Sequence, residues 1–214
     1  MTPITVDMLG FLDLPGKPPK DYAGSGADII HVTSAPPFVK SVSELRKAHY
    51  AFKQAILNIP NLSIALFKKD FKDMPSDSKT TRIILGLQGM PYDADIKTLD
   101  EIGIRIVSPC YRTVNAFGGG FAFPNARLTE KGRDFILDAC RWSIAVDLSH
   151  CGHTTARDIL TVIPELGVLA SHGGCYSIYQ NERNLPDDVL KGIADKGGII
   201  GIYGLPFGLD ATDN

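Results

Sequence analysis

The sequence predicts an α/β protein built as a TIM-like (β/α)8 barrel with about seven βα units. Short β-branched runs alternate with longer amphipathic stretches, which argues for parallel strands joined by crossover helices. The runs are nearly continuous in their hydrophobicity, as expected of strands covered on both faces. Residues fit for chemistry fall at several different strand ends, which favours a barrel mouth over an open sheet.

The elements follow in order. Ile4 to Asp7 is a weak first strand and Asp28 to Thr33 a better second one. After the Pro36-Pro37 break, Ser41 to Glu44 reads as a capping box that opens a helix through Leu57, stopped before Pro60. Leu62 to Phe67 is a short extra strand. Arg82 to Leu87 is the third barrel strand, followed by a turn at Gly89 to Pro91 and a helix from Asp93 to Ile102. Ile104 to Cys110 is the fourth strand, and Phe117 to Pro124, with three consecutive glycines, is a loop. A helix over Leu128 to Trp142 leads to the fifth strand, Ser143 to His150. The helix Thr154 to Ile163 then leads to the sixth strand, Val168 to His172. Pro186 opens a helix with Asp187 and Asp188 in its first turn, Gly197-Gly198 ends it, and Ile199 to Tyr203 is the seventh strand.

The tail from Leu205 to Asn214 holds no further βα unit, so the chain reads as a single barrel domain over residues 1–214, cut before its eighth strand. That leaves the first and seventh strands with unpaired edges and Ile199, Ile200 and Ile202 along the seam. A homodimer closing the gap is the preferred expectation. The alternatives are a tail folded across the seam and a fragment of a longer enzyme.

Charge narrows the partners. With 22 basic and 24 acidic side chains the net charge is −2, and no basic patch stands out to bind nucleic acid or an anionic membrane surface. The longest apolar runs, such as Gly198 to Tyr203, are too short to cross a bilayer, and Met1 to Leu14 lacks the pattern of a signal peptide. Cys110, Cys140, Cys151 and Cys175 are far apart, with no C-x-x-C pair, which suggests reduced thiols in a cytoplasm.

Two strands end alike, Val146-Asp147-Leu148-Ser149-His150 and Leu169-Ala170-Ser171-His172. At the mouth of a barrel the two imidazoles would converge and could share a metal ion; alternatively, each binds a loop backbone. His153 reads as a cap or an exposed residue, His31 as an interior strand residue, and His49 as a surface or interfacial residue of the Ser41 helix.

This order of motifs resembles the membrane (renal) dipeptidase family, zinc-dependent amidohydrolase-like barrels that cleave dipeptides. The resemblance rests on Leu128-Thr129-Glu130-Lys131-Gly132, the segments ending at His150 and His172, Arg183 to Leu190, and Gly197 to Gly201. It implies that His150 and His172 are zinc ligands and that Arg183 grips the substrate carboxylate, a task suited to its planar fork.

The chain departs from the family pattern in three places. In the family's first-strand His-x-Asp pair, Asp13 is present but Phe11 stands where the imidazole would be. The bridging glutamate is replaced by Gln88, and the histidine that polarises the substrate by Tyr111, with Asn115 following as a substrate-binding candidate. Some bacterial relatives carry the same glutamine and tyrosine, consistent with a divergent branch. The family's catalytic aspartate would fall beyond Asn214, and Asp210 and Asp213 sit in the wrong motif to replace it.

The expected function is therefore a metal-dependent hydrolase of dipeptides or related small amides. It would hold at most one Zn²⁺ on His150 and His172, with Asp13 as a further ligand candidate and Gln88 or Tyr111 orienting the carbonyl. The alternative is a relative that binds such ligands, or acts as a scaffold, without turnover.

Overall fold

The structure is a computed structural model and describes residues 4–11, 19–37, 39–71, 80–164 and 167–204. The strands are β1 (Val6–Phe11), β2 (Ile29–Thr33), β3 (Leu62–Ile64), β4 (Thr81–Gln88), β5 (Ile106–Ser108), β6 (Ala145–Asp147), β7 (Val168–Gly173) and β8 (Ile199–Ile202). The α-helices are α1 (Val42–Leu57), α2 (Ile96–Ile102), α3 (Glu130–Arg141), α4 (His153–Val162) and α5 (Asp187–Asp195). Every ladder is parallel, in the order β1-β2-β4-β5-β6-β7-β8. The short β3 shares one edge of β4 with β5. This is an incomplete TIM-like barrel.

Among the described residues no ladder joins β8 to β1. The two strands nonetheless meet: a Cβ built on Gly201 would stand 2.9 Å from the Cβ of Met8. Ile199 and Ile202, on which the expectation of association over the seam rests, are 60% and 80% exposed. The Leu205 to Asn214 tail lies outside the described residues.

Local chemistry sets the helix starts. The Ser41 side chain accepts the Glu44 N–H, and Glu44 reaches back to the Lys40 N–H. The second helix starts at Ile96, not Asp93, because Asp95 is its cap while Asp93 accepts the Val42 N–H of α1. The third starts after Thr129, which accepts the Gly132 N–H. The first strand runs later than Ile4 to Asp7, because pairing with β2 draws residues through Phe11 into the sheet. His49 is buried between α1 and α2: Nδ1 meets the Ser34 hydroxyl at 2.9 Å and Nε2 the Ile102 carbonyl at 2.6 Å.

Side chains alternate along β4, so Ile83, Leu85 and Leu87 share one face, while Gly86 and Gln88 share the other. Ile83, Leu85 and Leu87 belong to the hydrophobic core with Ile30, Val32, Leu45, Phe52 and Ile56. Gly86 makes room for a ring, since an added Cβ would lie 1.9 Å from the Nε2 atom of His31.

Glycine is also required inside α3. A Cβ on Gly132 would stand 2.0 Å from the Phe117 carbonyl oxygen, where the β5–α3 loop is pinned by the Thr129 amide and hydroxyl. Gly132→Ala is expected to cost about 3 kcal/mol by overpacking, more than the gain of about 1 kcal/mol in helix propensity. The readout is the urea midpoint, and an unchanged midpoint would show that the Phe117 segment yields freely.

Candidate active site

The carboxyl ends of the strands open onto a cavity of about 510 Å³ lined by residues that include Gln88, Tyr111, His150, Ser171, His172, Arg183 and Tyr203. Each side chain is placed by the strand end or following loop that carries it: Gln88 closes β4, Tyr111 follows β5, His150 follows β6 and His172 lies in β7. Five of the expected site residues, Gln88, Tyr111, His150, His172 and Arg183, are thus brought together.

The two histidines touch. Their Nε2 atoms are 3.0 Å apart and both rings are buried. Tyr111 tilts against the His150 ring with centroids 4.3 Å apart. Arg183 lies over the rings of Phe121 and Tyr203, 5.2 and 5.9 Å from their centroids, and an Nη atom donates to His172 Nε2 at 3.2 Å. Gln88 is buried, and its amide nitrogen has no hydrogen-bond partner among the described residues.

Burial holds both imidazoles neutral. It pushes His150 well below its ordinary value, and the neighbouring His172 and Arg183 add to the effect. His172 is lowered to about 4, chiefly by burial and also by Arg183 and His31, against the pull of Asp147. Neutral imidazoles present lone pairs, which a metal ion or a proton can take.

Other expectations are corrected or lie elsewhere. Asn115 does not line the cavity. Its oxygen accepts the Phe117 and Gly118 amides and its nitrogen donates to the Pro109 carbonyl, so the side chain is spent on holding the β5–α3 loop. Asp13 lies outside the described residues. From β1 the cavity takes Asp7, Met8 and Leu9, none of which sequence reasoning selected. The irregular register between Asp7 and Gly10 was the signal, and it exists only once β1 has paired with β2. His153 is partly buried and holds the Asn184 carbonyl.

Zinc, which the resemblance implies, would find two donors here. Two neutral nitrogens 3.0 Å apart fit as two ligands of one ion. No group of three His, Cys, Asp or Glu side chains that could hold a metal is present among the described residues. Among the described residues a two-metal centre does not fit, because the amide at position 88 brings no charge to bridge two dications.

The family description "Membrane dipeptidase (Peptidase family M19)" matches residues 25–212. The chain belongs to this family. It is 31% identical over 129 residues to an uncharacterized dipeptidase of Schizosaccharomyces pombe, a match covering 55% of this chain and 30% of that protein. It is 26% identical over 153 residues to an uncharacterized protein from the PQQ-III 3′ region of Acinetobacter calcoaceticus, covering 66% and 48%. The chain thus spans from under a third to about half of the length of these curated relatives.

Among solved structures, an amidohydrolase from Pseudomonas aeruginosa superposes with a TM-score of 0.81 at 23% identity, covering 93% of this chain and 62% of that one. A metallo peptidase from Rhodobacter sphaeroides, solved with a phosphinate mimic of the dipeptide L-Ala-D-Ala, gives 0.73 at 18% identity, covering 94% and 74%. At these identities the likeness is one of fold. No helix among the described residues is long and apolar enough to cross a membrane.

Proposed function

We propose that this chain carries the site of a metal-dependent hydrolase of dipeptides or related small amides, with a single zinc ion held by His150 and His172. The carrying observation is the pair of neutral Nε2 atoms 3.0 Å apart beside a guanidinium in one cavity. The family and the dipeptide mimic bound by the Rhodobacter enzyme support the substrate class. When bound, zinc would supply a Lewis acid that polarises the scissile carbonyl and acidifies water.

The chain's own residues do the rest. Arg183, preset over two aromatic faces, takes the substrate carboxylate. Gln88 offers an amide N–H to the carbonyl, and Tyr111 walls the His150 side. A cavity of about 510 Å³ suits a dipeptide. Cys110, Cys140, Cys151 and Cys175 are all free thiols.

His150→Ala and His172→Ala are each expected to reduce bound zinc to background in metal analysis. His49→Gln, at the α1–α2 seam, should not. Equal retention in all three would remove the metal site. One observation favours the second reading, binding without turnover: a cation, Arg183, already donates to His172 Nε2. That reading prevails if the purified chain binds free dipeptides but takes up no zinc.

A further inference from the structure

Asp147 is 1% exposed at the end of β6, and among the described residues no Lys or Arg pairs with it. Its carboxylate is held by four hydrogen bonds from two serines. Oδ1 accepts from the Ser149 amide at 3.0 Å, the Ser149 hydroxyl at 2.6 Å and the Ser171 amide at 3.0 Å. Oδ2 accepts from the Ser171 hydroxyl at 2.6 Å.

A hydroxyl has one proton to give. Ser171 gives its proton to Asp147, so towards the His172 Nδ1 atom, 2.8 Å away, its oxygen can only accept. That nitrogen must therefore carry the imidazole proton, which leaves Nε2 bare. The other side of the ring gives the same answer independently, because a guanidinium has only donors and Arg183 is 3.2 Å from Nε2. The Ser149 hydroxyl oxygen also accepts the His172 backbone amide at 3.0 Å, fixing the strand that carries the ring.

We infer that Asp147, acting through Ser171, is a positioning residue that fixes the His172 proton on Nδ1 and presents a bare Nε2 to the cavity. The inference deepens the proposed site by saying how one of its two nitrogens is kept available, and it stands on the hydrogen bonds whether or not a metal follows. His150 has no equivalent support, since its buried Nδ1 has no partner among the described residues. The two imidazoles are therefore unequal: His172 is preset with Nε2 bare, and His150, whose Nε2 lies 3.0 Å from that bare nitrogen, donates its own proton to it in the metal-free protein.

The test is long-range ¹H–¹⁵N spectroscopy of the histidine rings in metal-stripped, ¹⁵N-labelled protein, with His172 assigned by its loss in His172→Ala. The wild type is expected to show the unprotonated nitrogen at Nε2. In Asp147→Asn an amide N–H faces the Ser171 oxygen, the hydroxyl turns to donate to Nδ1, and the unprotonated nitrogen moves from Nε2 to Nδ1. Ser171→Ala removes the intermediary and should give a mixture, and it carries the test if Asp147→Asn does not fold. Zinc affinity, where the wild type takes up the ion, is expected to fall about tenfold or more in Asp147→Asn; equal affinity overturns the inference. So does a wild-type His172 protonated on Nε2, or an unchanged His172 pattern in both variants. A wild type that takes up no zinc while the tautomer shifts as described supports the relay and removes only the metal reading.

Discussion

Arg183→Met is expected to lower kcat/KM for free dipeptides about a hundredfold, on the order of 3 kcal/mol, the usual penalty for removing one partner of a desolvated charge pair. The guanidinium is held over the Phe121 and Tyr203 rings before any ligand arrives, so little ordering is left for binding to supply. Dipeptides amidated at the carboxyl end present no anion and should lose less than tenfold. Arg183→Lys should not restore the loss, because an ammonium cannot make the paired bonds of the fork. The comparison also separates two roles, since Arg183 both faces the cavity and donates to His172. If free and amidated substrates weaken alike, its part is to hold the imidazole.

Acid should destabilise the metal-free protein from about pH 6.5 downward, above the usual carboxylate range. Burial lowers His31, His49, His150 and His172 from the ordinary histidine value, His172 to about 4. In the unfolded chain each titrates near 6.5. Between that value and its own folded value, each histidine is protonated in the unfolded state and neutral in the native one. The unfolded state then binds more protons, and stability falls as pH falls. This contribution is complete above pH 6.5 and is lost on the way down. It amounts to about 1.4 kcal/mol per pH unit for each histidine in its window, on the order of 3 kcal/mol for His172 alone. Urea midpoints at pH 7, 6 and 5 are expected to drop progressively and more steeply as the windows overlap. A flat profile from pH 7 to 5 would show that the four rings are not held neutral by the fold.

Much of the architecture was legible because its signals are local. The Ser41 and Thr129 caps, the alternation of β-branched runs with amphipathic stretches, and the proline and glycine stops depend on residues a few positions apart. The same locality misplaced some boundaries. Asp93 looks like a helix start until the fold brings it to the Val42 amide from 51 residues away. His49 reads as a surface or interfacial residue until α2 covers it and offers the Ile102 carbonyl.

The candidate site divides along the same line. By itself the sequence determined the βα order, the matching Ser-His strand ends at His150 and His172, and the residue types available at Gln88, Tyr111 and Arg183, because strand period and motif order are properties of the chain alone. Tertiary structure alone decided which of them meet. It turned Asn115 away onto its own loop, brought Asp7, Met8 and Leu9 to the cavity through an irregular β1 register, and placed Ser171 between Asp147 and His172. The physical reason is that a hydrogen bond between β6 and β7 joins residues 24 positions apart, so both its geometry and the place of its proton exist only after the parallel strands have paired.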